Sequence, residues 1–86
     1  MNWTIDFDDK ARKSLLRLDK PIRNRITSFL ENLEKQSNPR TQGKALTGNY
    51  AGLWRYRVGD YRIICQIEDQ KVTILVLEIG HRKEIY

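Results

Sequence analysis

Trp3, Ile5 and Phe7 alternate with Thr4 and Asp6 at the start of the chain, the period of a short strand with one buried face. The period then lengthens. Asp8 or Asp9 offers a helix N-cap, and Ala11, Leu15 and Leu18 follow at helical spacing until Asp19-Lys20-Pro21 interrupts the pattern. Pro21 fits the first turn of a second helix, whose apolar stripe is Ile22, Ile26, Phe29, Leu30 and Leu33. Together the two segments predict a helical hairpin. Ser37-Asn38-Pro39 ends it, and residues 40–52, with Gly43, Gly48 and Gly52, read as a connecting stretch rather than a linker between domains.

From Leu53 onward the period is two. Trp54, Tyr56 and Val58 alternate with Arg55 and Arg57, and Gly59-Asp60 has the form of a two-residue hairpin turn with glycine at its first central position. That turn sets Val58 opposite Tyr61, Arg57 opposite Arg62, Tyr56 opposite Ile63 and Arg55 opposite Ile64. A second turn near Asp69-Gln70 brings Val72–Ile79 alongside, which predicts Leu77 opposite Arg62 and Leu75 opposite Ile64. The expected architecture is α+β: an N-terminal strand and a helical hairpin packed on a small, mostly antiparallel sheet, with residues 1–86 as a single domain. Trp54, Tyr56, Ile63, Cys65, Ile74 and Val76 are expected on the face under the helices.

Composition narrows the chemistry. The 86 residues hold 16 Lys and Arg against 11 Asp and Glu, a net charge of +5 that suits an anionic partner. Seven of the cations, Lys10, Arg12, Lys13, Arg17, Lys20, Arg23 and Arg25, crowd into residues 10–25 with Asp19 as the one acid there. That density fits a solvated helical face or a docking surface. The apolar run Val72–Ile79 is too short to cross a bilayer, and the acidic MNWTIDFDD has no apolar signal region, so a cytoplasmic protein is expected. One cysteine and one histidine are too few for a zinc site, and Cys65 sits in an apolar alternating stretch where a buried thiol is expected. No metal or cofactor is called for.

The expected register raises a question about charge. Arg55, Arg57 and Arg62 share one face, where like charges directly opposite repel. Asp60 and Glu78 are near in this register, but nothing in it sets either acid on the arginine face. A phosphate would resolve the conflict, because guanidinium groups present planar forks that match its oxygens and stay charged at neutral pH; solvent alone is the other resolution. Beyond the last strand, GHRKEIY places His81, Arg82 and Tyr86 within expected reach of the same face. His81 has the proton-transfer chemistry suited to neutrality, and Tyr86 an aromatic face for an unpaired base.

Three blocks carry a family resemblance: Leu46-Thr47-Gly48, the run Leu53-Trp54-Arg55-Tyr56-Arg57-Val58-Gly59-Asp60-Tyr61-Arg62-Ile63, and Ile79-Gly80-His81-Arg82-Lys83-Glu84-Ile85-Tyr86. They closely resemble the RelE-like branch of the RelE/ParE toxin superfamily, over essentially the whole chain. The resemblance implies a type II toxin that enters the A site of the 70S ribosome, cuts mRNA there as a metal-independent endoribonuclease, and is neutralised by a RelB-like antitoxin. The toxin alone is expected as a monomer.

By the same resemblance, Arg55 and Arg57 occupy the two alternating basic positions before the turn, and Arg62 the arginine that stabilises charge on the scissile phosphate. Arg82 matches the tail arginine and Tyr86 the tyrosine that stacks on the cut nucleotide. Lys44 and Lys83 are further expected RNA contacts. The best-studied members of the family carry lysines where this chain has Arg55 and Arg57, and arginine is a poor general base. His81 or Tyr86 is therefore the candidate base. Two alternatives stand beside the nuclease: a ParE-like poison of DNA gyrase, and a non-catalytic RNA-binding module.

Overall fold

The computed structural model describes residues 2–83. The chain runs β1 (Thr4–Phe7), α1 (Asp9–Arg17), α2 (Lys20–Glu34), β2 (Lys44–Ala45), β3 (Trp54–Val58), β4 (Tyr61–Glu68) and β5 (Thr73–His81). Asp8 caps α1, its Oδ1 accepting the Ala11 N–H at 2.9 Å. The helix ends where Leu18 turns extended, and Pro21 sits in the first turn of α2, where its missing N–H costs nothing.

The five strands order as β1-β5-β4-β3-β2, with β1 parallel to β5 and the other pairs antiparallel. Both helices lie on one face. There Ala11, Ile26, Leu30 and Leu33 meet Tyr56, Ile63, Cys65, Ile74, Val76 and Ile79, while Trp3, Ile5, Phe7, Phe29 and Trp54 pack around them. Helix α1 lies along β5, and α2 touches both β1 and β3. Burial pushes the free Cys65 thiol above its ordinary pKa, which keeps it protonated and inert. No helix among the described residues is long and apolar enough to cross a membrane.

The first hairpin has the expected register, with Val58 opposite Tyr61 and Arg57 opposite Arg62. Gly59 makes it possible: its φ of +60° is the left-handed conformation that the first position of such a turn demands. The second hairpin differs from expectation. Gly80, not Leu77, stands opposite Arg62, and Glu78, not Leu75, opposite Ile64. Two causes add. The connection is four residues long, a 3₁₀ turn over Asp69–Lys71 followed by Val72 with φ +49°, and Glu68 pairs with Thr73. A bulge then leaves Leu77 as an extra residue on β5, because Cys65 pairs with Val76 while Ile64 pairs with Glu78.

The connecting stretch is more structured than its glycines suggest. It contains two short 3₁₀ turns and β2, which pairs Lys44 with Arg55 and Ala45 with Trp54. Aromatic donors pin its start and the residues leading into it, 37–42, at three points. Trp3 Nε1 donates to the Ser37 carbonyl at 3.3 Å, Tyr56 Oη to the Pro39 carbonyl at 2.7 Å, and Trp54 Nε1 to the Gln42 carbonyl at 2.8 Å. Arg40 adds a bidentate pair with Asp69 at 2.8 and 2.9 Å, tying the stretch to the β4–β5 connection.

Candidate functional site: an arginine cluster on the open sheet face

Strand alternation separates the two faces of β3 and β4. Trp54, Tyr56, Ile63 and Cys65 point under the helices, so Arg55, Arg57 and Arg62 emerge together on the opposite side. Arg62 sits directly across from Arg57 on β3 and from Gly80 on β5. Glycine on that side places no side chain over the guanidinium. Arg62 is only partly exposed, and its Nε and Nη1, like Arg55 Nε, are out of solvent contact without a hydrogen-bond partner among the described residues.

That arrangement is electrostatically uncomfortable. Loss of hydration first, then the neighbouring charges of Arg57, Arg55 and Arg82, lower the pKa of Arg62 below the ordinary arginine value; Asp60 offsets this slightly. Unpaired buried donors on a cation are among the costliest groups a fold can keep. An oxyanion with several lone pairs is the kind of group that can accept from such donors and offset their charge at once.

The cluster continues toward β2. Gln42, Gly43, Lys44, Arg55, Tyr56, Arg57 and Phe29 line a cleft of about 210 Å³ beside it. Gly43 allows the close approach. Its φ is +81°, and a Cβ there would run into the Arg55 carbonyl and the Trp54 indole. Lys44, exposed and opposite Arg55, therefore belongs to the same charged surface.

The tail residues divide. Arg82 donates its backbone N–H to the Asp60 carbonyl at 2.8 Å, and its Nε lies 3.8 Å from Asp60 Oδ1, close enough to Arg62 to act on its charge. His81 takes the other side: it pairs with Tyr61, which packs against the helix-side core, and the two rings meet edge to face at 5.5 Å. Its Nδ1 accepts the Lys83 N–H at 3.2 Å, which leaves the proton of a neutral ring on Nε2. Lys83 is exposed at the end of the described chain. Tyr86 lies outside the described residues.

Two contacts escaped the sequence reading. Asp60 was legible as a turn residue, but nothing local announced that it would meet Arg82, 22 positions on. Glu78 is taken by Lys10 of α1 at 2.7 Å, a pair that exists because α1 lies along β5.

A two-helix layer on a five-stranded sheet, with Arg55 Nε and Arg62 Nε and Nη1 lacking a hydrogen-bond partner among the described residues, defines a small basic α+β protein. Comparison with known proteins gives the class a family. The sequence profile described as "ParE toxin of type II toxin-antitoxin system, parDE" matches residues 5–86. The toxin RelG of Mycobacterium tuberculosis is 31% identical over 86 residues, covering 100% of this chain and 98% of that protein. The mRNA interferase toxin RelE of Escherichia coli is 29% identical over 89 residues, covering 100% and 92%. Among solved structures, the toxin–antitoxin complex RelBE2 of M. tuberculosis aligns with a TM-score of 0.85 at 29% identity, over 98% of this chain and 95% of that one. The archaeal RelE–RelB complex of Pyrococcus horikoshii aligns at 0.77 and 28% identity, over 99% and 100%. The chain belongs to the RelE/ParE toxin superfamily of type II toxin–antitoxin systems, in its RelE-like branch.

Proposed function

We propose that this toxin is a ribosome-dependent endoribonuclease that cuts mRNA in the A site of the 70S ribosome, and that a RelB-like antitoxin neutralises it in the cytoplasm. The observation that carries the reading is the state of Arg62: partly exposed, with Nε and Nη1 out of solvent contact and without a partner among the described residues, and acted on by the charges of three further arginines. The name mRNA interferase, borne by the E. coli relative, supports RNA as the source of the anion. Residues 1–86 act as one domain in this reading.

The reaction is attack of a ribose 2′-oxygen on the adjacent phosphorus. The O2′–P bond forms and the P–O5′ bond breaks, giving a 2′,3′-cyclic phosphate and a 5′-hydroxyl. One proton leaves the 2′-hydroxyl and one is given to the departing 5′-oxygen. Arg62 with Arg57 stabilises the added charge on the phosphorane, so the protein's own guanidiniums take the role a metal plays elsewhere. Arg55, Lys44 and Lys83 hold the flanking backbone, and Arg82 or a neighbour gives the proton to the leaving 5′-oxygen.

His81 or Tyr86 accepts the 2′ proton. For His81 to do so, its ring must turn away from Tyr61 and release the Lys83 N–H, since its one neutral acceptor nitrogen is engaged. A site rich in charge and poor in base depends on its substrate being held in line for attack, and the ribosome supplies that geometry. Free RNA is therefore a poor substrate. The matched profile names ParE, and poisoning of DNA gyrase is the second reading.

The test is a 5′-end map of a defined mRNA incubated with the purified toxin, with and without programmed ribosomes, beside Arg62→Ala. Cuts confined to A-site codons, dependent on ribosomes and lowered about 10²- to 10³-fold by Arg62→Ala, are the expected result. Growth arrest without such cuts would overturn the nuclease and direct attention to gyrase cleavage complexes.

A further inference from the structure

Resting on the nuclease reading, we infer that Asp60 is a positioning residue for Arg82, holding the tail arginine over the Arg57–Arg62 cluster. The turn itself asks for no acid. A two-residue hairpin loop that opens with glycine accepts many residues at its second position, and the left-handed strain falls on Gly59 alone. A carboxylate at that point is unfavourable for binding RNA, because it repels the phosphate that the four arginines attract. Its placement nevertheless gives Arg82 its anchors.

Arg82 follows the end of β5, beyond the last ladder pair between Tyr61 and His81. Among the described residues, its backbone hydrogen bond and its ion pair both go to Asp60. The backbone bond extends the β4–β5 ladder by one step, and alternation along it returns Arg82 to the side of Gly80 and Arg62. The carboxylate then engages the guanidinium through Nε, leaving the two Nη groups for a phosphate oxygen or the leaving 5′-oxygen. At 3.8 Å, with both side chains more than half exposed, the contact orients Arg82 without consuming it. The same carboxylate also acts on Arg62, against the charges of Arg57, Arg55 and Arg82.

This role separates binding from chemistry. Asp60→Asn keeps the side-chain shape and the backbone carbonyl and removes only the charge. On programmed ribosomes carrying mRNA with a 2′-deoxy A-site codon, which cannot be cut, Asp60→Asn binds about two- to fivefold more tightly because a repelling anion is gone. On unmodified mRNA its single-turnover cleavage falls on the order of tenfold because Arg82 is no longer held. Asp60→Glu restores most of the rate. A merely structural residue would weaken both.

A second readout needs no activity: the Nε–Hε signal of Arg82 in the full-length chain, ordered in the parent and averaged in Asp60→Asn. Cleavage at the parent rate, or an Arg82 signal unchanged by Asp60→Asn, overturns the assignment. If the parent cuts no ribosome-bound mRNA, the nuclease reading falls, and the Arg82 signal alone decides whether Asp60 holds the tail.

Discussion

Tyr56 joins the site to the scaffold, and removing its hydroxyl tests how. The residue stands between Arg55 and Arg57 along β3 but is fully buried on the opposite face, and its hydroxyl donates to the buried Pro39 carbonyl at 2.7 Å. Tyr56→Phe keeps the ring, and with it the contact to Phe29 at a centroid distance of 5.5 Å, so little packing is lost. What changes is the Pro39 carbonyl, left buried without its donor. Stranding such a group costs about 1–3 kcal/mol. For a chain of this size each kcal/mol moves Tm by about 4–8 °C, so a fall of roughly 4–24 °C is expected in thermal unfolding followed by circular dichroism.

The same bond carries a pH signature. Burial raises the phenol's pKa well above its ordinary value near 10. A raised acid stabilises the fold fully below the unfolded pKa, and that contribution fades as pH climbs from about 10 toward the folded value. The Tm gap between parent and Tyr56→Phe should therefore be constant from neutrality to about pH 9 and narrow above it. A variant that melts within 2 °C of the parent at pH 7 would refute the argument that Tyr56 holds the connector through this bond.

Gly43→Ala should cost at least about 1–3 kcal/mol, because the position needs a left-handed φ and a Cβ would overlap the Arg55 carbonyl and the Trp54 ring; urea denaturation measures it, and an unchanged midpoint would deny the close approach. Asp69 is held below the ordinary carboxylate range, chiefly by its hydrogen bonds from Arg40. Its stabilising contribution is present above the unfolded pKa and lost as pH falls through the lower folded one, so Asp69→Asn should flatten the acid limb of the stability–pH curve while leaving its alkaline limb unchanged.

Legibility of the fold followed how local each determinant was. The Gly59-Asp60 turn is two residues with a steric requirement that only glycine meets cheaply, and from it the opposition of Arg57 and Arg62 follows by counting. Helices α1 and α2 were readable from their stripes and from Asp8 and Pro21. The β4–β5 register was not, since Val72 is a β-branched residue in a left-handed conformation that its own chemistry disfavours, and the bulge at Leu77 has no local signal. An error of two residues and then three moved Gly80 to face Arg62 and put His81 opposite Tyr61.

What the amino-acid order determined by itself was the alternation that puts Arg55, Arg57 and Arg62 on one face and the aromatic and aliphatic partners on the other. Those are properties of neighbouring residues and of one tight turn. Tertiary structure alone decided that β1 would lie parallel to β5, that Lys10 would take Glu78 away from the cluster, and that Asp60 would meet Arg82. Each of these joins segments far apart in sequence, and is set by how two helices and five strands bury a shared core, which no short stretch of the chain encodes.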